Sequence, residues 1–346
     1  MTSRDIKEYG LSLGYSKVGI TSADGFPGYV DEVLSRGEKF DILKLTRVNP
    51  LNGAAPKSIM PEAKSIIVMI WDYFQYDFPE ELKKMIGKAY LGRCHYPQPG
   101  MIPHARLQLM QDFLLKHGCK SVVDFSVPAR WAAAQAGLTT YGRNNFAYTE
   151  ESGSYIIICT IIADMEFEYD KPSMESKCPD NCGACMKACP TQAIYEPFKL
   201  EPRKCAGFSN WISQDGREGI SSFIPHEIRK SLGIMIHGCD VCQDVCPQNK
   251  KKLAAPKSMD KFIEQIGKDI TLPAILNMDD EFFKRNIEPI MYIYIKDKRY
   301  IIRNAAIAMG NSKNKDYIKD LEAQLNNPDE LIRESVAWAL EQLKES

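Results

Sequence analysis

The chain has 346 residues, of which 44% are hydrophobic and 26% charged. This composition is typical of folded domains and excludes an intrinsically disordered protein. The 44 Lys and Arg residues nearly balance the 45 Asp and Glu residues, so the total charge does not indicate a polycationic nucleic-acid binder. No apolar run reaches the roughly 20 residues of a membrane-spanning helix, and the N-terminus lacks the apolar core of a signal peptide. We therefore expect a cytoplasmic protein without membrane contact.

The first 172 residues mix short β-branched segments with helical ones. Four strands are predicted, at Lys17–Ala23, Lys64–Trp71, Lys120–Val127 and Ser154–Ala163. Helices are predicted over Pro103–Lys116, which begins with a proline, and over Ala129–Gly137, which ends at a glycine. Helices between strands predict a layered α/β domain, within a chain of the α+β class.

Eleven cysteines are unevenly placed along the chain. An odd count without an export signal argues against a disulfide framework. Cys119 and Cys159 lie at or in predicted strands, so we expect them in the core. Cys94 lies in a polar loop and is a candidate functional residue. The other eight fall between residues 178 and 246, which indicates metal binding.

These eight cysteines form two runs, Cys178–Pro190 and Cys239–Pro247, with Cys205 between them. Both runs contain C-x2-C-x3-C-P, the pattern of two-cluster bacterial ferredoxins, in which the cysteine before proline ligates the other cluster. A zinc site with four ligands fits this spacing poorly. Two [4Fe–4S] clusters need one ligand more than the two runs supply, and Cys205 is the obvious candidate. We assign Cys178, Cys182, Cys185 and Cys246 to one cluster, and Cys189, Cys205, Cys239 and Cys242 to the other.

After the cysteine runs, the chain has a basic segment that is followed by Ala-rich segments with helical spacing. Residues 250–303 hold 12 Lys and Arg against 8 Asp and Glu. The Ala-rich segments Ile302–Met309 and Ile332–Leu340 are similar to each other and resemble HEAT-type helical repeats. So few repeats cannot bury their own faces, so we expect them to dock on the rest of the chain. The predicted domains are therefore 1–172, 173–255 and 256–346.

Several segments resemble the epoxyqueuosine reductases, which are related to the corrinoid reductive dehalogenases. The similar segments are Leu11–Ile20 (LSLGYSKVGI), Ala136–Asn145 (AGLTTYGRNN) with Gly153 and Ser154, Leu200–Cys205 (LEPRKC) and Ile224–Asn249. The C-terminal repeats also resemble the helical extension of those reductases. The resemblance thus covers almost the whole chain.

The resemblance implies a nitroreductase-like corrinoid domain, a ferredoxin-like domain and HEAT-like repeats. It also implies base-off cobalamin, which receives electrons from the two clusters and a low-potential flavodoxin- or ferredoxin-type donor, and reduction of epoxyqueuosine in tRNA to queuosine. None of the five histidines lies in a D-x-H-x-x-G pattern that supplies a lower axial ligand. The residues implied to line the corrin are Tyr141, Gly142, Arg143, Asn144, Asn145, Gly153, Ser154, His237, Gly238 and Asp240.

The candidate general acid is Asp124, in a segment where this chain departs from the family. Asp124 lies four residues before Pro128, where the family has three, and Arg130 replaces an acidic residue. The loop from Cys94 to Tyr96 also lacks the family's Asp and is the other candidate for the proton donor. The first gap of the cluster motif, from Cys178 to Cys182, is one residue longer than in the family.

Two alternative functions are left open by these departures. The first is a paralogue that reduces another substrate, or that reductively activates a corrinoid partner protein. The second is a two-cluster electron-transfer protein with a docking domain and no enzymatic activity.

Overall fold

The computed structural model describes residues 1–42, 49–93, 99–172, 175–212, 221–291 and 297–345. Its central element is a four-stranded sheet in the order β1-β2-β6-β3, in which every neighbouring pair is antiparallel. The strands of the described residues are β1 Lys17–Ser22, β2 Ser65–Asp72, β3 Ser121–Val123, β4 Thr140–Tyr141, β5 Ala147–Tyr148, β6 Ile156–Ala163, β7 Ile194–Glu196 and β8 Lys199–Leu200.

Short helices cover the sheet and make up most of the C-terminal half. The α-helices of the described residues are α1 Ser3–Ser12, α2 Pro27–Ser35, α3 Pro50–Gly53, α4 Pro56–Ile59, α5 Glu80–Met85, α6 Lys88–Leu91, α7 Ile102–Lys116, α8 Ala129–Gln135, α9 Ala184–Ala188, α10 Ala206–Ile212, α11 His226–Arg229, α12 Val241–Asp244, α13 Lys250–Ala254, α14 Lys261–Gly267, α15 Leu272–Leu276, α16 Asp280–Phe282, α17 Glu288–Met291, α18 Arg299–Asn311, α19 Ile318–Ala323 and α20 Glu330–Glu345. No helix among the described residues is both long and apolar enough to cross a membrane.

The central strand β2 is buried on both faces. Alternate residues of a strand point to opposite faces. Ile67 and Met69 accordingly pack in a cluster with α1 and α7, whereas Ile66 and Val68 pack in a cluster with α8. Cys119 and Cys159 are buried in the first of these clusters, which confirms their predicted core position. The sheet is therefore the middle of three layers.

The predicted strands and helices of this region are found, with one shortened element. The strand predicted over Lys120–Val127 ends at Val123. Beyond it, Asp124 Oδ1 accepts a hydrogen bond from the Ser126 amide at 2.7 Å, a turn that competes with the strand ladder. Pro128 then begins the turn into α8 and has no amide to donate. The prediction therefore overextended this strand by four residues.

The predicted C-terminal repeats are helices that pack on each other as α18 and α20. Gly310 allows their close approach, because a Cβ there would lie 2.7 Å from Ala339 Cα. Asp329 Oδ1 accepts hydrogen bonds from the Leu331 and Ile332 amides at the start of α20, which stabilises that helix end. These observations confirm the two predicted helical segments.

The largest apolar core joins all three predicted segments. It includes Phe78 and Ile86, then Ile236, and then Ile263 and Ile301 of the C-terminal helices. The repeats thus dock on the rest of the chain, as predicted. The same core brings residues 77–92 against residues 236–240, directly beside the second cysteine run.

Candidate redox site

Both cysteine runs adopt the same local structure. Cys185 lies in α9 and Cys242 in α12, and each of these short helices is followed by the Cys-Pro step. Cys189 and Cys246 have extended backbones, with ψ of 112° and 124°, because the residue before a proline is pushed out of the helical region. The spacing of the runs therefore produces a helical turn followed by a turned-out cysteine.

The thiols fall into two groups of near neighbours, and the assignment of these groups to two clusters stays a prediction. Cys189, Cys205, Cys239 and Cys242 are near neighbours, because Cys189 contributes to the raised pKa of each of the other three. Cys185 has Cys246 and Cys182 as its neighbouring thiols, and both contribute to its raised pKa. Gln248, two residues after Cys246, donates a hydrogen bond to Cys178 Sγ at 3.2 Å, which places Cys178 beside this second group. Each run thus contributes to both groups.

Burial is the main electrostatic feature of these thiols. Burial first, and the neighbouring thiols to a smaller extent, raise the pKa of Cys239 to about 12 and that of Cys242 well above its ordinary value. Iron must therefore displace the thiol protons when it binds. All eight cysteines are free thiols, and among the described residues no three metal-binding side chains converge on a single ion. The donor set fits iron–sulfur ligation in chemistry and in number.

The segment from Tyr141 to Asn145 lies against the cysteine runs. Arg143 Nη1 donates to the Cys182 carbonyl at 3.0 Å. Asn144, which is buried, donates from Nδ2 to the Cys242 carbonyl at 3.0 Å and to the Tyr148 hydroxyl at 2.9 Å. These two side chains connect the α/β layers to both runs, and their polar atoms are already used by the protein.

Gly153 and Ser154 make a second connection to the same region. The Asn249 side chain accepts from the Ser154 amide at 2.9 Å and donates to the Ser154 hydroxyl at 2.8 Å. Ser154 Oγ in turn donates to Gln243 Oε1 at 3.0 Å. Gly153 has a φ of +57°, and a Cβ there would lie 2.1 Å from Asn249 Oδ1, so this position requires glycine.

We expect Gly153→Ala to lower the apparent midpoint of thermal unfolding of the cluster-loaded protein. Alanine adds a backbone cost of about 1–2 kcal/mol in the left-handed region and also collides with Asn249. Gly118→Ala is the matched control, because Gly118 has a φ of +77° but no atom within 4 Å of its added Cβ. Equal decreases in the two variants would contradict a role for the Asn249 contact.

His237 and Gly238 directly precede the second run, and Asp240 lies within it. The His237 ring is fully buried against Tyr90, with ring centroids 4.1 Å apart. Asp240 Oδ2 accepts from the Lys88 amide at 2.6 Å and from Lys88 Nζ at 3.4 Å. Burial raises the pKa of Asp240, and the positive charge of Lys88 opposes this increase. These residues therefore connect the second cysteine run to α6, through Lys88 and Tyr90.

Sequence reasoning missed the charged network around Lys88. The buried Lys88 Nζ lies 2.7 Å from Asp244 Oδ1, which also accepts a hydrogen bond from the Tyr155 hydroxyl at 2.6 Å. A related pair joins Lys252 to Asp72. A single lysine between apolar residues has no spacing signal, so only the fold identifies these pairs.

Two buried polar atoms remain available for a cofactor near the Tyr141–Asn145 segment. Within the part of the chain that the structure describes, Asn145 Nδ2 and Thr139 Oγ1 are buried without a hydrogen-bond partner. Asn145 also has a φ of +66°, a strained backbone state that is often found at binding sites. Corrinoids carry many amide side chains that accept and donate hydrogen bonds, so these atoms fit such a group.

Asp124 lies in the turn between β3 and α8, and α8 connects it to the same segment. Arg130 of α8 donates from Nη1 to the Asn145 carbonyl, and Trp131 of α8 lies 6.5 Å from the Tyr141 ring. The other candidate for the proton donor, Cys94–Tyr96, lies outside the described residues. Arg93, immediately before that loop, pairs with Asp260.

Comparisons with known proteins agree with this arrangement. Residues 177–249 match the family model of the 4Fe-4S double cluster binding domain. The epoxyqueuosine reductase of Bacillus subtilis strain 168 is 28% identical over 362 residues, which cover 97% of this chain and 86% of that protein. The Pseudomonas aeruginosa epoxyqueuosine reductase is 27% identical over 367 residues, which cover 98% of this chain and 93% of that protein.

Solved structures show the same similarity in three dimensions. A structure of Bacillus subtilis epoxyqueuosine reductase matches with a TM-score of 0.82 at 27% identity, over 98% of this chain and 90% of that one. A crystal structure of an epoxyqueuosine reductase with an epoxyqueuosine-modified tRNA-Tyr stem loop matches with a TM-score of 0.82 at 26% identity, over 98% and 89% of the two chains. The chain is thus a homologue, along nearly its whole length, of the epoxyqueuosine reductases, a group of oxidoreductases, and it contains a [4Fe–4S] binding domain.

Proposed function

We propose that this chain is a cytoplasmic reductase that converts epoxyqueuosine in tRNA to queuosine. The observation that supports this most is the attachment of the Tyr141–Asn145 segment to both cysteine runs, through hydrogen bonds to the Cys182 and Cys242 carbonyls, in a chain with nearly full-length similarity to epoxyqueuosine reductases. Removal of an epoxide oxygen as water consumes two electrons and two protons. The chain must therefore supply an electron route and a proton donor.

The electron route consists of two [4Fe–4S] clusters, each held by one of the two groups of four cysteines. Cys178, Cys182, Cys185 and Cys246 would hold one cluster, and Cys189, Cys205, Cys239 and Cys242 the other. A low-potential flavodoxin- or ferredoxin-type protein supplies the electrons one at a time, since low-potential clusters accept single electrons.

Base-off cobalamin is the group that would supply a strongly reducing centre at the substrate when bound. The Asn145 and Thr139 side chains would donate to its polar groups, because both have a buried atom without a partner among the described residues. Arg143, Asn144 and Ser154 would instead hold the Tyr141–Asn145 segment (the cofactor loop) and its neighbour Gly153–Ser154 against the cysteine runs, through the contacts described above.

Asp124 is the residue that we assign to the proton transfer. Its Oδ1 is held by the Ser126 amide, which orients the carboxyl group at the start of α8. Arg130 of the same helix is bound to the Asn145 carbonyl, so the helix and the cofactor loop are fixed relative to each other. A general acid of this kind must be held near the reacting oxygen.

A small basic surface is available for the tRNA backbone. Lys250 and Lys251 of α13 are exposed, whereas Lys252 is paired with Asp72 and Lys257 donates to the Lys252 carbonyl. Other basic residues of the 250–303 segment are neutralised locally, for example Lys298 by Asp280 and Arg299 by Asp297. We take the exposed pair at the start of α13 as the predicted phosphate contact, because it closely follows the second cysteine run.

Changing both Lys250 and Lys251 to Glu is expected to weaken tRNA binding by about tenfold or more at physiological salt. Loss of each phosphate contact should also lower the slope of affinity against salt by about one. Fluorescence anisotropy across a salt series measures both quantities. Lys116 at the end of α7 and Lys120 just before β3 are also exposed, and they provide the control double substitution. Equal weakening by both pairs would contradict the assignment of α13.

The proposed activity is tested by queuosine formation. The protein is purified anaerobically, loaded with iron, sulfide and cobalamin, and incubated with dithionite and tRNA that carries epoxyqueuosine. Mass spectrometry of the nucleosides should show conversion to queuosine. A protein that retains both cofactors but forms no queuosine would refute the tRNA function and favour the paralogue. A protein with two clusters that retains no corrinoid would favour the electron carrier.

A further inference from the structure

The C-terminal helix α18 reaches the cysteine runs through one buried carboxamide. Asn304 is 2% exposed, and its Nδ2 donates to the Asn210 carbonyl at 2.9 Å and to the Ile236 carbonyl at 2.7 Å. Its Oδ1 accepts from Arg303 Nε at 2.9 Å. Every polar atom of the Asn304 side chain is therefore used, and both of its acceptors lie in segments that carry cysteines.

Asn210 extends this connection to the residue before Cys239. The Asn210 side chain is fully buried, and it pairs with both backbone polar groups of Gly238. Its Oδ1 accepts from the Gly238 amide at 3.1 Å, and its Nδ2 donates to the Gly238 carbonyl at 3.1 Å. Gly238 has a φ of +72°, so this two-sided contact fixes a backbone state that costs energy for most residues.

The same contacts fix the position of Cys205. Asn210 belongs to α10, which begins directly after Cys205, and the Ser209 amide donates to the Cys205 carbonyl at 2.7 Å. At the start of α10, a Cβ on Gly207 would lie 3.3 Å from the Cys239 amide nitrogen. The backbone at Gly207, two residues after Cys205, thus lies against the backbone of Cys239, and Asn210 holds the two segments together.

We propose that Asn304, acting through Asn210, is a positioning residue for the cluster held by Cys189, Cys205, Cys239 and Cys242. By this inference the C-terminal helical region sets the geometry of one cluster, in addition to any contact with tRNA. The inference rests on the proposed function, because it requires both clusters. Amides that face the sulfurs raise the reduction potential of a cluster, so a loosened loop should make that potential more negative.

The test uses Asn304→Leu, which keeps the approximate shape of the side chain and removes its donors and acceptor. Asn311→Leu is the matched control. Asn311 lies two turns later on α18, and its Nδ2 likewise donates to two backbone carbonyls, those of Arg229 and Gly233, at 2.8 Å. Both carbonyls lie farther from Cys239 along the chain than the Ile236 carbonyl that Asn304 binds.

The measurements are iron content, electron paramagnetic resonance of the reduced protein, and the midpoint potential of each cluster in the cobalamin-loaded enzyme. A Cys205→Ser variant identifies the signal of the affected cluster by its loss. We expect Asn304→Leu to retain about eight irons per chain, to shift the potential of that cluster to a more negative value, and to leave the other cluster unchanged. Asn311→Leu should shift neither potential.

Three results would overturn the inference while the proposed function stands. They are unchanged potentials in Asn304→Leu, an equal shift in Asn311→Leu, and loss of both clusters from Asn304→Leu, which would mark Asn304 as a determinant of folding alone. If the unaltered protein holds fewer than two clusters, the proposed function fails first and the inference fails with it.

Discussion

Replacement of Cys205 by Ser is expected to halve the iron content and abolish queuosine formation. Cys205 is the one proposed ligand outside the two runs, and it lies half-buried beside Cys189, Cys239 and Cys242. A serine hydroxyl has a much higher pKa than a thiol and is a poor ligand for the soft iron–sulfur unit. The cluster held by those cysteines is therefore lost, and the electron route is broken.

Cys119→Ser provides the control for this result. Cys119 is a buried cysteine of the sheet core, so the same substitution there perturbs packing without removing a proposed ligand. It should keep about eight irons per chain. Full iron content in Cys205→Ser, measured by chemical analysis under anaerobic conditions, would show that the eighth ligand lies elsewhere.

Asp124→Asn is expected to lower the rate of queuosine formation by about 10²- to 10⁴-fold, the usual contribution of a general acid. The substitution separates catalysis from structure, because Asn keeps the Oδ1 acceptor that binds the Ser126 amide and loses only the transferable proton. The fold, the iron content and the affinity for tRNA should therefore remain unchanged. The rate is measured in single turnovers of the cobalamin-loaded enzyme.

Asp112→Asn is the matched substitution for Asp124→Asn. Asp112 is exposed on α7, so the Asp112→Asn substitution should leave the rate of queuosine formation unchanged. A rate near that of the unaltered protein in Asp124→Asn would reduce Asp124 to a turn residue and assign proton donation to another group. The Cys94–Tyr96 loop would then be the next candidate.

The sequence predicts the features that depend on local spacing. The β-branched runs predict the sheet strands, and C-x2-C-x3-C-P predicts that each cysteine run contributes ligands to both clusters. The strand after Lys120 was predicted too long, because the side chain of Asp124 competes for the backbone just beyond Val123. A strand pattern contains no information about that competition.

Contacts between distant segments were beyond sequence reasoning. Lys88 meets Asp240 across 152 positions, and Asn304 meets Asn210 across 94. Each of these residues is unremarkable in its own segment, and only the shared apolar core brings the segments together. The resemblance to a family predicts a cofactor site near Asn145, but it did not indicate that the side chains of Arg143, Asn144 and Ser154 make hydrogen bonds to the cysteine-containing segments.

The two apolar cores near the site differ in what they are made of. The small core beneath the first run consists of Cys185, Cys189, Ala193 and Ile194, so half of its buried side chains are proposed metal ligands. The large core that holds Ile86, Ile236 and Ile301 contains no such ligand among its fully packed residues. We infer an order of maturation from this contrast: the large core, which needs no cluster ligand, packs first, and the inorganic centres are inserted last, into a nearly finished protein.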